Sequence, residues 1–127
     1  MTTPELVVLD VSPGAAMESQ SGLQMKWPRI YGAFARAAEK HVAAIVIHPT
    51  SNFMGHYLMP HLPAAGISLL GLNTRYAGNE SNLIFERVIQ DLGAGVQFLR
   101  EQGYERILLL GNSGGASTVA FYQAEAE

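Results

Sequence analysis

The sequence predicts an α/β fold, a mostly parallel sheet with helices on both faces. Three observations carry that prediction. First, three continuous apolar runs of strand length, "VAAIVIHP" (42–49), "ISLLGLN" (67–73) and "RILLLG" (106–111), read as strands covered on both sides. Second, the strongest helical periodicity in the chain lies between the second and third of these runs. Third, the connections are short, so right-handed crossovers would return each strand parallel to the last.

Taken in order, "ELVVLDV" from Glu5 to Val11 reads as a strand, closed by the turn Ser12-Pro13-Gly14. Ala15 to Gly22 is small and polar, a loop. Between Leu23 and His41 two assignments stand side by side. "LQMKW" and "RIYGAF" form strands around Pro28, which would favour an edge position, or "FARAAEKH" forms a short helix. Val42 to Pro49 is the first buried-type strand. A helix is expected from about Asn52 to Met59, with Ser51 or Asn52 as N-cap and Pro60 near its end. Ile67 to Asn73 is the next strand, and the polar loop "TRYAGNES" follows it. The best helix runs from about Asn82 to Gln102, where Phe85, Val88, Leu92, Val96 and Leu99 step by three and four along one face. Gly93 and Gly95 cost helix propensity, which predicts close contact with a sheet. Gly103 is a natural C′ residue. The strand "RILLLG" and a helix from Gly115 to Glu127 complete the order.

Composition narrows the function classes. The chain has 127 residues, enough for one modest domain with a real core, and is 48% hydrophobic against 15% charged. A net charge of −3 makes no electrostatic case for nucleic acid or an anionic membrane. With no cysteine, disulfides, thiolate zinc sites and cysteine nucleophiles are excluded. "MTTPELVVLD" lacks a basic n-region, Asp10 interrupts its apolar run, and no apolar stretch reaches transmembrane length. A soluble cytoplasmic protein is the expectation. The closing "FYQAEAE" shows no helix-ending cap, so residues 1–127 are expected to be the N-terminal part of a single larger domain, without its last strands and any lid.

The chemistry concentrates in "LLLGNSGGAS". A dinucleotide fingerprint needs G-x-G-x-x-G and a P-loop needs a lysine after its second glycine, and neither is present. Phosphate binding by helix N-terminal amides needs no motif and stands as an alternative. Gly111-Asn112-Ser113-Gly114-Gly115 does satisfy G-x-S-x-G between a buried strand and a helix. In so tight a turn, side chains two residues either side of the serine would collide, so glycine is required at 111 and 115. The serine Oγ is then exposed above the sheet, at a helix N-terminus that favours developing negative charge.

On these residues the segment from Val42 to Glu127 resembles the α/β-hydrolase family. That family carries His-Gly-X at the end of its third strand, where this chain has "IVIHPTSNF". The resemblance implies an oxyanion hole formed by the amides of Gly114 and Thr50. Pro49 stands in place of the usual glycine, but the donor is one residue later, so the missing N–H of proline is tolerated. After the next strand many members have D-x-R-G-x-G. "NTRYAG" keeps Arg75 and Gly78 and replaces the other two positions by Asn73 and Tyr76. Arg75 reads as a loop anchor, and His48 as shaping its loop by hydrogen bonding. His56 and His61, with His48 nearby, match no familiar metal-ligand spacing, so no metal and no cofactor is predicted.

A serine nucleophile needs a base and an acid, in the chain order Ser, acid, His. All four histidines (His41, His48, His56 and His61) precede Ser113, and so do Asp10 and Asp91. Glu125 and Glu127 fall on the outgoing helix. The resemblance therefore implies that the acid and the histidine lie beyond residue 127. It also places the strand Arg106–Leu110 in mid-sheet, so this segment would expose an apolar strand edge prone to self-association or to pairing with the missing part. The function expected is a serine hydrolase acting on a small-molecule ester or related acyl bond through an acyl-enzyme. Alternatives are a transferase or C–C hydrolase on the same triad, a non-catalytic hydrolase-like binding protein, and a phosphate-binding α/β module. The isolated 127-residue chain is expected to show no triad-dependent esterase activity. Turnover of an activated ester by this chain, lost in Ser113→Ala, would overturn that expectation.

Overall fold

A computed structural model of the chain describes residues 4–11, 29–39, 41–56, 58–78, 85–111 and 114–126. Five strands, β1 (Glu5–Asp10), β2 (Arg29–Ala35), β3 (Val42–His48), β4 (Ile67–Asn73) and β5 (Arg106–Gly111), form one sheet in the order β1-β2-β4-β3-β5. Three helices among the described residues accompany them: α1 (His61–Ala64), α2 (Phe85–Glu101) and α3 (Gly114–Ala126).

The three continuous apolar runs form the parallel part of the sheet, with β3 paired in parallel to both β4 and β5, but β5 stands at the end of the strand order and is half-exposed instead of covered on both sides. The sheet as a whole is mixed, because β2 is antiparallel to both β1 and β4. The expectation of a mostly parallel sheet is corrected to that extent. "RIYGAFA" is a strand and "FARAAEKH" forms no helix over its described residues; the strand lies between two neighbours instead of at an edge. Packing overrides helix propensity here: Phe34 is fully buried and meets Phe98 and Tyr104 edge to face at 5.5 and 6.0 Å. Pro28 and "LQMKW" lie outside the described residues.

Helices cover the two faces unequally. Right-handed crossovers explain which goes where. The chain steps from β3 outward to β4, then back past β3 to β5, so the two connections must cross on opposite faces. On one face α2 and α3 bury Leu92, Leu99, Val119 and Tyr122 against Ile45, Ile47, Leu70 and Leu72. On the other, among the described residues, Phe53, Met54, Leu58, Met59 and Leu62 pack on Ala33, Ala44, Val46 and Leu69.

The helix expected over Asn52–Met59 does not form. Asn52 Oδ1 accepts the Met54 amide at 3.0 Å and His56 Nδ1 accepts the Leu58 amide at 3.2 Å. These side chains take amides that a helix would need and stabilise turns instead. One helical turn, α1, follows at His61–Ala64.

Of the face predicted for α2, Val88, Leu92 and Leu99 are fully buried and Val96 is half-buried, while the Phe85 side chain lies outside what is described. A methyl group at Gly95 would stand 2.8 Å from Leu72 Cδ2, so this glycine does admit the sheet. Gly93 faces Tyr122 of α3 instead, at an ordinary 3.7 Å. The helix ends as a Schellman motif: the Gly103 amide donates to the Arg100 carbonyl (3.0 Å) and the Tyr104 amide to the Leu99 carbonyl (3.1 Å). Gly103 has φ +98°, which a side chain would strain.

At the two ends of the strand order, β1 and β5 each pair with one neighbour among the described residues. Leu108 on β5 is 46% exposed. No helix among the described residues is long and apolar enough to cross a membrane. The two glycines predict substitutions of opposite sign in urea unfolding. Gly93→Ala is expected to raise stability by about 0.5–1 kcal/mol through helix propensity, and Gly103→Ala to lower it by about 1–2 kcal/mol.

Candidate functional site

Parallel pairing sets the carboxyl ends of three strands side by side. Ile47 lies opposite Gly111 and His48 opposite Asn73, so the segments following β3, β4 and β5 leave the sheet at one end. Crevices at such strand ends are where open α/β sheets bind ligands.

Ser113 and Asn112 lie outside the described residues, but both flanks of their turn are described. Strand β5 ends at Gly111 and helix α3 begins at Gly114. A methyl group at Gly111 would run into the Gly115 carbonyl and stand 2.6 Å from the Ala116 nitrogen. One at Gly115 would run into the Ile47 carbonyl at the end of β3, 3.5 Å from His48 Cα. In each case the obstacle is main chain, which cannot rotate away as a side chain could. The chain therefore reverses from strand to helix within two residues, and the first turn of α3 is pressed against β3. Gly114, as its first residue, belongs to the set of amides that an α-helix leaves without an internal partner.

The segment after β3 is organised by His48. Its Nδ1 accepts hydrogen bonds from the Thr50 amide (3.2 Å) and the Ser51 amide (3.1 Å). Nδ1 is thus the accepting nitrogen of the ring. The loop-shaping assignment of His48 matches this arrangement. The Thr50 amide, named as an oxyanion donor, is engaged with the imidazole. Phe53 packs between His48 and His56, with ring centroids at 5.8 and 5.0 Å.

The β3 and β4 segments are laced together. The Thr74 hydroxyl donates to the Pro49 carbonyl, and the Gly78 amide donates to the Thr50 carbonyl at 2.9 Å. Asn73 accepts the Phe53 amide at 2.8 Å through Oδ1 and donates through Nδ2 to Asn52 Oδ1 at 3.0 Å. Arg75 is the anchor expected of it. Its Nη2 lies 2.7 Å from Asp91 Oδ1, its own amide donates to Asp91 Oδ2 at 2.8 Å, and Gln90 Oε1 accepts from Nη2 at 3.3 Å. The Asp91 side chain is fully buried and that of Arg75 is 12% exposed. Removing one member of such a pair leaves a charge stranded in the protein, which ties the β4 loop to α2.

Asp91, Thr74 and the bridging role of Asn73 went unrecognised in the sequence. Asp91 did leave a signal: an acid on the buried stripe of α2, beside Leu92 and between Val88 and Gly95. Among the described residues no group of three or more His, Cys, Asp or Glu converges as a metal site. The groove of about 570 Å³ between β1 and α2, lined by Leu9, Val11, Gln90, Ala94 and Phe98 among others, shares no residue with the strand-end segments.

No protein-family model and no curated protein sequence matches this chain. The glycine pair makes its own prediction. Gly111→Ala and Gly115→Ala are each expected to cost about 2–4 kcal/mol in urea unfolding, because main chain must move to admit the methyl group.

Proposed function

We propose that this chain is the nucleophile-bearing part of an α/β-hydrolase-type serine hydrolase, a cytoplasmic enzyme acting on a carboxylic ester or related acyl bond. The observation that carries this function is that main chain fills the Cβ space at both Gly111 and Gly115, on either side of Ser113, where strand β5 passes into helix α3. Glycine at those two positions is what a serine held on a sharp strand-to-helix turn requires. A generic loop of glycine and serine would not need both Cβ positions to be blocked by main chain.

In this mechanism Ser113 Oγ attacks the carbonyl carbon and the carbonyl π electrons move onto oxygen. The Gly114 amide, at the positive end of α3, donates to that oxyanion, with Thr50 as second donor. To serve, the Thr50 amide must leave His48 Nδ1 or share it. A base takes the serine proton and returns it to the leaving alkoxide, and water then releases the acyl group by the same steps. No histidine follows Ser113 in residues 114–127. His48 is committed through Nδ1 to its own loop. The catalytic acid and base are accordingly assigned to polypeptide outside residues 1–127, and the edge of β5 that is unpaired among the described residues to pairing with a further strand of that polypeptide.

Covalent labelling of the full-length polypeptide with a fluorophosphonate tests the nucleophile. Labelling is expected in the wild type and lost in Ser113→Ala. An unlabelled wild type, or undiminished labelling of Ser113→Ala, would count against this function.

A further inference from the structure

Large apolar side chains left exposed are few among the described residues, and three of the four stand together. Leu6 (66% exposed) and Val8 (49%) lie on β1, and Tyr31 (49%) lies opposite Val8 on β2. Leu6 in turn lies opposite Ala33. Side chains alternate along a strand, so these four share one face of the sheet, the one away from α2. Val7 and Leu9, at the alternate positions, pack against the core on the α2 side. One face of β1 is thus anchored while the other carries an apolar patch.

The outer edge of this strand is open as well. β1 stands at the end of the strand order and pairs only with β2 among the described residues. Folded proteins guard such edges with lysine, proline, bulges or inward charges. "ELVVLD" has no lysine or proline, and its register with β2 runs from Glu5 to Asp10 without a bulge. Its two charges stand at its ends, and each is matched within the chain: Glu5 with Arg36 and Asp10 with Arg29, both at 2.9 Å. A second strand approaching Leu6–Leu9 therefore meets an apolar edge with no net charge to repel it.

β1 of another copy fits that edge. A two-fold axis perpendicular to the sheet at Val7 sets two β1 strands antiparallel and keeps matching faces on the same side. Leu6 then lies opposite Val8 of the second copy, and Val8 opposite its Leu6, with Cβ atoms about 5 Å apart. The rows Tyr31–Val8 and Ala33–Leu6 join end to end with those of the second copy into an apolar band across four strands. An axis at Val8 would instead put Leu6 opposite Asp10. Isologous pairing of this kind matches one patch with itself.

We propose that the β1 edge is a homodimer interface, where two copies pair antiparallel about Val7 into one continuous sheet. The interface uses none of the residues assigned to the hydrolase function, and it lies at the opposite end of the strand order from β5. Six paired residues a side make a small interface, so the dimer is expected to dissociate on dilution.

The test is sedimentation equilibrium of the full-length polypeptide over a concentration series. Wild type is expected to dimerise reversibly. Leu6→Lys and Val8→Glu each set a charge opposite an apolar residue, twice per dimer, and each should weaken association at least about tenfold. The doubly substituted chain, Leu6→Lys with Val8→Glu, sets lysine opposite glutamate at both places. It is expected to recover association to within about threefold of wild type. With the axis at Val8 two glutamates would face each other, so recovery reports the register. Both positions are exposed, and the urea midpoint of the monomer should hold. A wild type that stays monomeric, a dimer indifferent to both single substitutions, or a double variant that stays dissociated would each overturn the interface.

Discussion

Helix α3 can sit where it does only because two positions around its first turn carry no side chain. The Gly115 carbonyl occupies the space a Cβ at Gly111 would need, and the Ile47 carbonyl occupies the space needed at Gly115. These contacts bring three backbones together: the end of β5, the start of α3 and the end of β3. The seating of α3 beside α2 over Ile45 and Ile47 follows from them. So does the closeness of the turn to the segment after β3, because Gly115 rests beside His48.

Around that junction the polar bonds join segments distant in sequence. Thr74 to Pro49, Gly78 to Thr50 and Asn73 to Phe53 each fasten the β4 loop to the β3 loop. Arg75 and Asp91 extend the lacing to α2. A loop held at that many points is preorganised.

Much of this was legible residue by residue. The three continuous apolar runs identified β3, β4 and β5, and β3 and β4 are buried along their length as strands covered on both faces require, whereas no residue of β5 is fully buried among the described residues. Gly103 marked the end of α2, since few other residues accept a positive φ there. The spacing of Gly111 and Gly115 was legible as a steric requirement before any coordinate. Less visible was β2, whose "RIYGAFA" is small and mixed. Its place between β1 and β4 comes from pairing with strands on both sides, not from its own periodicity. The expected helix at Asn52–Met59 failed for a local reason of another kind: Asn52 and His56 captured nearby amides, and residue counts do not register that competition.

By itself, then, the sequence determined which apolar stretches are strands, where α2 runs and stops, and which turn tolerates only glycine at two positions. All of these follow from short-range rules, namely periodicity, propensity and the size of a side chain against its own backbone. Tertiary structure decided the mixed sheet order, the unequal cover of its two faces, the pairing of Arg75 with Asp91, and the engagement of the Thr50 amide with His48. Each of these depends on which partner, tens of residues away or across a turn, competes best for a given strand edge, charge or amide. That competition is settled only when the whole chain has packed, because a hydrogen-bonding group or a strand edge satisfied in one place is no longer available in another.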